Sequence, residues 1–219
     1  MKYRYEKTFD YENGFYLTSD VYRMGNMLAH YEMYKQILHL PGDVVECGVF
    51  KGGSLIQFAS FRELLENENA RRIIGFDTFG NFPMDASVES DKKFIDHWNR
   101  QFSDEFLGKA DIEESLRHKN IANVELVEGD IMHTVEGYVK KHPEMRIALL
   151  HIDTDVYSPA KRSLEELFPL VVRGGLVVFD DYGTVEGETL AVEEFLRGTE
   201  YVLQKFTFSH NKPSFLVKK

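Results

Sequence analysis

With 219 residues and a net charge of −10, from 26 basic and 36 acidic side chains, the chain lacks the basic footprint of a general nucleic-acid binder. Hydrophobic content of 43% argues against disorder, and the length suits one domain, residues 1–219, with a full core. The single Cys47 excludes an internal disulfide framework and a multi-cysteine zinc site. No apolar run reaches membrane-span length, and "MKYRYEKTFDYENGFY" lacks the apolar core of a signal peptide, so a cytoplasmic protein is expected.

Residues 1–18 are dense in aromatics: Tyr3, Tyr5, Phe9, Tyr11, Phe15 and Tyr16. They suit a homodimer or higher homo-oligomer arm as well as a wall of a substrate site. From Ser19 to Leu40 apolar residues recur every three and four positions, which predicts a helix closed by Pro41-Gly42.

An alternation follows. Strands are predicted at 43–49, 71–77, 123–130, 146–153 and 175–181. Helices are predicted at 54–67, 132–142, 158–171 and 190–198. Residues 79–120 are less regular, with helical patches near 91–101 and 111–118, and read as an insert or lid. Segments 201–210 and 213–219 read as a closing antiparallel pair. The pattern is α/β: seven strands in a mostly parallel sheet, helices on both faces and an antiparallel C-terminal strand.

Ligands of such sheets bind beyond the carboxyl ends of the strands. A carboxylate closes or follows each parallel strand: Glu46, Asp77, Asp130, the Asp153/Asp155 pair and the Asp180/Asp181 pair. All should face one crevice. Each Asp could instead cap the helix that follows it. Four at adjacent strand ends would repel one another, and a divalent cation such as Mg²⁺ on Asp153, Asp180 and Asp181 relieves that.

The turn "VVECGVFKGGS" places Gly48, Gly52 and Gly53 between a strand and a helix. The spacing is neither G-x-G-x-x-G nor a phosphate loop, which weakens dinucleotide and ATP readings. With Asp77 positioned for ribose hydroxyls, the turn outlines a site for a nucleoside-bearing cofactor, and the ring of acids favours a cationic one.

Other candidates are His151, read as a core histidine or one behind the site; His133 and His210, near the crevice; and Cys47, a small buried strand residue. Trp98 and the phenylalanines at 79, 82, 94, 102 and 106 fit a lid or a satellite core equally.

Taken in order, "GDVVECGVFKGGS", "GFDTF", "EGD" and "HIDTDVYSPAKRSLEELFPLVVRGGLVVFDDYG" resemble the macrocin O-methyltransferase family over roughly residues 20–217. Its members are S-adenosylmethionine-dependent, Mg²⁺-dependent enzymes that methylate sugar hydroxyls in natural-product pathways; for this chain natural-product or surface-glycan biosynthesis is expected. The resemblance implies a Rossmann-like class I methyltransferase fold and a small sugar-containing substrate, expected to be a deoxysugar linked to a nucleotide or an aglycone, with no nucleic acid or membrane partner. It further implies that Glu46, Gly48, Gly52, Gly53 and Ser54 hold the methionine part of the cofactor. Asp77 would bind the ribose, and Asp130 would lie near the adenine. Asp153, Asp180 and Asp181 would ligate Mg²⁺, and Asp155 would be the general base. Longer members carry extra N-terminal structure, so cover over the site is expected from residues 1–20 and 79–110. Rival readings are a glycosyltransferase using D-x-D, a cephalosporin-hydroxylase-like relative and a non-catalytic subunit.

Overall fold

A computed structural model describes residues 3–84, 88–102, 106–209 and 212–219. A short 3-10 turn at Tyr5–Lys7 leads into α1 (Thr8–Thr18), which buries no side chain. Helix α2 (Val21–Ile37) starts on Asp20, whose side chain accepts the Tyr22 N–H, a normal N-cap. Its buried stripe is Gly25, Ala29, His30, Met33, Tyr34 and Ile37.

The βα alternation then runs as the sequence predicts, with shifted ends. It comprises β1 (Asp43–Cys47), α3 (Gly53–Leu65), β2 (Ile73–Asp77), α4 (Glu89–Phe102), α5 (Lys109–His118), β3 (Val124–Glu128), α6 (Ile131–Lys141) and β4 (Ile147–Ile152). After these come α7 (Tyr157–Leu167), β5 (Val171–Phe179), α8 (Glu186–Leu196) and β6 (Ser214–Val217). Helix α7 stops earlier than its apolar pattern because Pro169 enforces a 3-10 turn over Phe168–Leu170.

The strand order is β3-β2-β1-β4-β5-β6. Pairing is parallel through β5, and β6 runs antiparallel to it. From β1 the chain runs outward through β2 and β3, then crosses back to β4 on the other side of β1. That reversal opens a crevice at the carboxyl ends of β1 and β4. Strand residues are apolar on both faces, as a covered parallel sheet demands. Val45, Ile74, Leu150 and Val177 pack under α6, α7 and α8; Val44, Ile73, Leu149 and Val178 pack under α2, α3 and α5. The fully buried Phe58, Phe76 and Phe179 each contribute about 2–3 kcal/mol of apolar burial.

Six strands form among the described residues, not the seven expected. Residues 201–209 make a single bridge, Gln204 to Phe215, and then a 3-10 turn at Thr207–Ser209. The turn carries the segment toward α2 instead of along the sheet edge. There the Phe208 carbonyl lies 2.9 Å from where a Cβ on Gly25 would be. No helix among the described residues is long and apolar enough to cross a membrane.

Candidate functional site

At the carboxyl ends of the strands lies a cavity of about 470 Å³. Its floor is Gly48, Asp77, Asp130, Asp153, Asp155, Asp180 and Asp181. One wall is aromatic, from Phe50, Phe82, Phe94, Trp98 and Phe106. Trp98 centres that wall, 4.5 Å from Phe102, 5.3 Å from Phe50 and 5.6 Å from Phe94, ring centre to ring centre. The rings of the segment expected to be a lid or a small core pack on one another and line this wall of the cavity.

The turn after β1 is built around a near approach. Gly48 has φ of 89°, and a Cβ there would sit 1.8 Å from the Asp153 carbonyl oxygen. Gly52, at φ 77°, starts α3 against Ile112, with Gly53 and Ser54 as the first helical residues. Asp77 fastens the turn: Oδ2 accepts Val49 N–H at 2.6 Å and Phe50 N–H at 2.9 Å, while Oδ1 accepts Phe79 N–H at 2.6 Å. A carboxylate has about four acceptor positions, so little capacity remains for a ligand hydroxyl. Asp130 lines the cavity and also caps α6 through Met132 N–H at 2.9 Å.

Glu46 corrects the expectation that it faces the crevice. It lies inside β1, one residue before the strand end, where the alternation turns it toward the α2 and α3 layer. It is fully buried, and its Oε1 meets His151 Nδ1 at 2.9 Å, directly across the β1–β4 pairing. His151 lies behind the site, one of the two places its sequence position allows. His133 is exposed on α6 and outside the cavity wall. His210 lies outside the described residues.

The acids after β4 and β5 are not helix caps. The residues preceding α7 and α8 are Val156 and Val185, and neither helix has a side-chain cap. Instead Asp153, Asp180 and Asp181 bring carboxylate oxygens within 4.8 Å of one another. Asp153 continues the sheet through its N–H to Cys47 O, and Asp180 through its N–H to Ile152 O. Asp155 does not continue the extended chain. Its φ is 60°, and Val156 N–H bonds Thr154 O at 2.6 Å, closing a tight turn in a conformation that costs a non-glycine residue strain.

The charges are crowded. Burial, and then Asp180, push the Asp153 carboxyl well above the usual range. Burial, and then Asp181, do the same to Asp155. Asp180 is the exception: burial opposes its ionisation, but His151 and His30 hold it well below the usual range. Lys212 approaches Asp181 Oδ1 at 3.2 Å. An oxygen-rich cluster so charged fits a hard divalent cation, which takes carboxylate ligands and relieves such repulsion.

Several site residues went unread in the sequence. Glu188, fully buried, accepts Thr154 N–H at 3.2 Å and Asp181 N–H at 3.1 Å, tying both acidic loops together. Burial raises its pKa to about 8. In sequence it is one more acid in a helix's first turn, an ordinary place for one. Asp91, also buried, accepts Tyr157 N–H at 2.8 Å and fastens α4 to α7. Asn26 and His30 reach Asp180 from α2. A histidine on the buried stripe of α2 was the available signal.

Residues 20–205 match the macrocin O-methyltransferase (TylF) family. The chain belongs to this family. Among curated relatives, an 8-demethyl-8-(2,3-dimethoxy-α-L-rhamnosyl)-tetracenomycin-C 4'-O-methyltransferase of Streptomyces olivaceus is 29% identical over 147 residues, 65% of this chain and 54% of that one. A demethyldecarbamoylnovobiocin O-methyltransferase of Streptomyces niveus is 28% identical over 165 residues, 72% of this chain and 59% of that one. The matches thus span little more than half of these relatives' length. A solved calicheamicin methyltransferase, CalS11, superposes with TM-score 0.77 at 28% identity, covering 99% of this chain and 86% of that one. Its apo structure, described as a TDP-rhamnose 3'-O-methyltransferase, gives TM-score 0.69 with 87% of that chain covered. The fold of this family member is therefore Rossmann-like, of the methyltransferase kind.

Proposed function

We propose that the protein transfers a methyl group from S-adenosylmethionine to a sugar hydroxyl, with a divalent cation such as Mg²⁺ held by Asp153, Asp180 and Asp181. The observation that carries this reading is the meeting, in one cavity, of three close carboxylates with the Gly48 turn and the Asp77 clamp. Family membership supports methyl transfer over glycosyl transfer as the use of the D-x-D pair. The relatives' names, with a rhamnosyl tetracenomycin and TDP-rhamnose among the compounds they print, support a deoxysugar acceptor in natural-product biosynthesis.

The cofactor would enter over the β1 turn. Gly48, seated against the Asp153 backbone, would flank its methionine end, and the Gly52–Ser54 start of α3 completes that turn. Asp77 holds the turn in shape and offers its remaining acceptor capacity to the ribose. Asp130 and Met132 would flank the adenine. Glu46 acts from beneath, through His151, rather than by contact.

A sugar hydroxyl is almost wholly protonated near neutral pH and is a weak nucleophile. A bound divalent cation supplies the electrostatic stabilisation that lets such an oxygen lose its proton. Asp155, whose strained turn aims it at the same cavity, takes that proton. Glu188 keeps Asp155 and Asp181 in register: its N–H bonds the Asp155 carbonyl at 3.0 Å, and its carboxylate accepts the Asp181 N–H. The walls would hold the acceptor oxygen in line with the methyl and the sulfur. Thr184, Ser158 and Pro159 line the cavity beyond the acids, and the sugar would lie against them.

The deciding experiment offers nucleotide-linked deoxysugars and deoxysugar glycosides with S-adenosylmethionine and Mg²⁺, and reads a gain of one methyl by mass spectrometry. Methylation abolished by a chelator and restored by Mg²⁺ is the expected result. Turnover undiminished by the chelator would refute the cation's part; absence of methylation across both acceptor classes would refute the substrate class.

A further inference from the structure

Three side-chain nitrogens converge on one oxygen of Asp180, one of them, from Asn26, as a hydrogen-bond donor. Asn26 Nδ2 lies 3.3 Å from Oδ1, His151 Nε2 lies 3.6 Å away and His30 Nε2 lies 3.7 Å away. Two come from α2, where residues 26 and 30 are four apart and share a face. The third comes from β4.

Each histidine is fixed at its other end. His151 Nδ1 is held by Glu46, and His30 Nδ1 lies 2.9 Å from the Gln57 amide of α3. The two amide ends interchange by rotation, so Gln57 can donate to Nδ1 and leave the His30 proton on Nε2, facing Asp180. The rings also brace each other, with centres 5.1 Å apart and Phe58 packed on both. Both Nε2 atoms are buried without a closer partner. A buried polar nitrogen is costly to leave unpaired, and the acceptor within reach of both is Asp180.

We propose that Asn26 and His30 are positioning residues that hold the Asp180 carboxylate in place for the cation, so that α2 is part of the metal site although it is not one of the loops that form the cavity floor. The inference rests on the divalent-cation reading of the three aspartates. A ligand on a strand end has free rotamers. Cation affinity requires them fixed, and groups behind a metal ligand supply that. The α2 helix is a rigid base for such support, because Ala29, Met33, Tyr34 and Ile37 are fully buried beside this face.

The test is calorimetric titration of Mg²⁺ and Mn²⁺ into the full chain without substrate. Asn26→Ala and His30→Ala should each weaken cation binding roughly 10–100-fold, the usual scale for a group behind a ligand. His30→Gln, which retains an N–H donor, should restore affinity to near that of the unaltered protein. Met33→Ala, one turn along the same helix and within the apolar core, should lower the melting temperature yet keep cation affinity. S-adenosylhomocysteine binding should be unchanged throughout. Unaltered cation affinity in both Asn26→Ala and His30→Ala overturns the proposal, and so does an equal loss in Met33→Ala. No cation binding by the unaltered chain would instead overturn the reading on which the proposal rests.

Discussion

The Cβ that Gly48 lacks would lie 1.8 Å from the carbonyl oxygen of Asp153. The turn proposed for the cofactor and the strand end proposed for the cation are thus in backbone contact. Gly48→Ala has nowhere to go, because the obstacle is backbone and φ is already positive. We expect a loss of at least about 3 kcal/mol, or roughly 6–12 °C in melting temperature for a chain of this size. A scanning-calorimetry trace that matches the unaltered protein would show that the contact relaxes freely.

Asp77→Ala removes three backbone hydrogen bonds at once. Both stability and cofactor affinity should fall, the latter by roughly 1.5–3 kcal/mol. The two effects are separable by measuring S-adenosylhomocysteine binding at a temperature where the variant is fully folded. Full affinity there would restrict Asp77 to holding the loop.

Asp153→Asn, Asp180→Asn and Asp181→Asn should each remove divalent-cation dependence and activity while leaving cofactor affinity nearly intact, since these acids follow β4 and β5 and the turn proposed for the cofactor follows β1. Asp153→Asn carries a second consequence. It takes one charge from a half-buried, crowded group, so the cation-free protein should gain about 1 kcal/mol, roughly 2–4 °C. Equal loss of cofactor binding in all three variants would argue against separate subsites.

Asp155→Asn should keep cation and cofactor but slow methyl transfer by roughly a hundredfold or more, the scale of losing a general base. The rate should also lose the acidic limb due to this group. A near-normal rate, joined to a large defect in an alanine variant at His210, would move the role to a histidine.

A pH-dependent contribution to stability lies far from the site. Arg71 and Tyr34 bond the Glu66 carboxylate at 2.7–2.9 Å. Burial opposes its ionisation, yet these partners lower its pKa. A lowered folded pKa gives stability that is present above the unfolded value and lost as pH falls through the folded one. Glu66→Gln should therefore cost about 1–3 kcal/mol at pH 7, and the gap should narrow in acid. Denaturant melts at both pH values read this directly; a constant gap would exclude the carboxylate charge as its source.

The sequence by itself determined the alternation, the parallel sheet and the acids at its edge. These are local properties: apolar runs of strand length, helical periodicity and glycines between them. The family was legible for the same reason, since its motifs are contiguous. The local reading failed where packing between distant segments decides. Residues 201–209 carry strand-like apolar residues, but the Phe208 carbonyl packs at Gly25 and draws the segment off the sheet edge. Glu46 closes an apolar run, yet strand parity and His151 turn it beneath the crevice. Asp155 follows Asp153 by two residues, but a turn at φ 60° replaces the extended geometry that spacing suggests. Glu188, Asp91, Asn26 and His30 looked like ordinary helix residues. Only the tertiary structure brings them to the acidic loops, because a buried carboxylate or imidazole must find a partner, and the partners here lie up to 154 positions away in the chain.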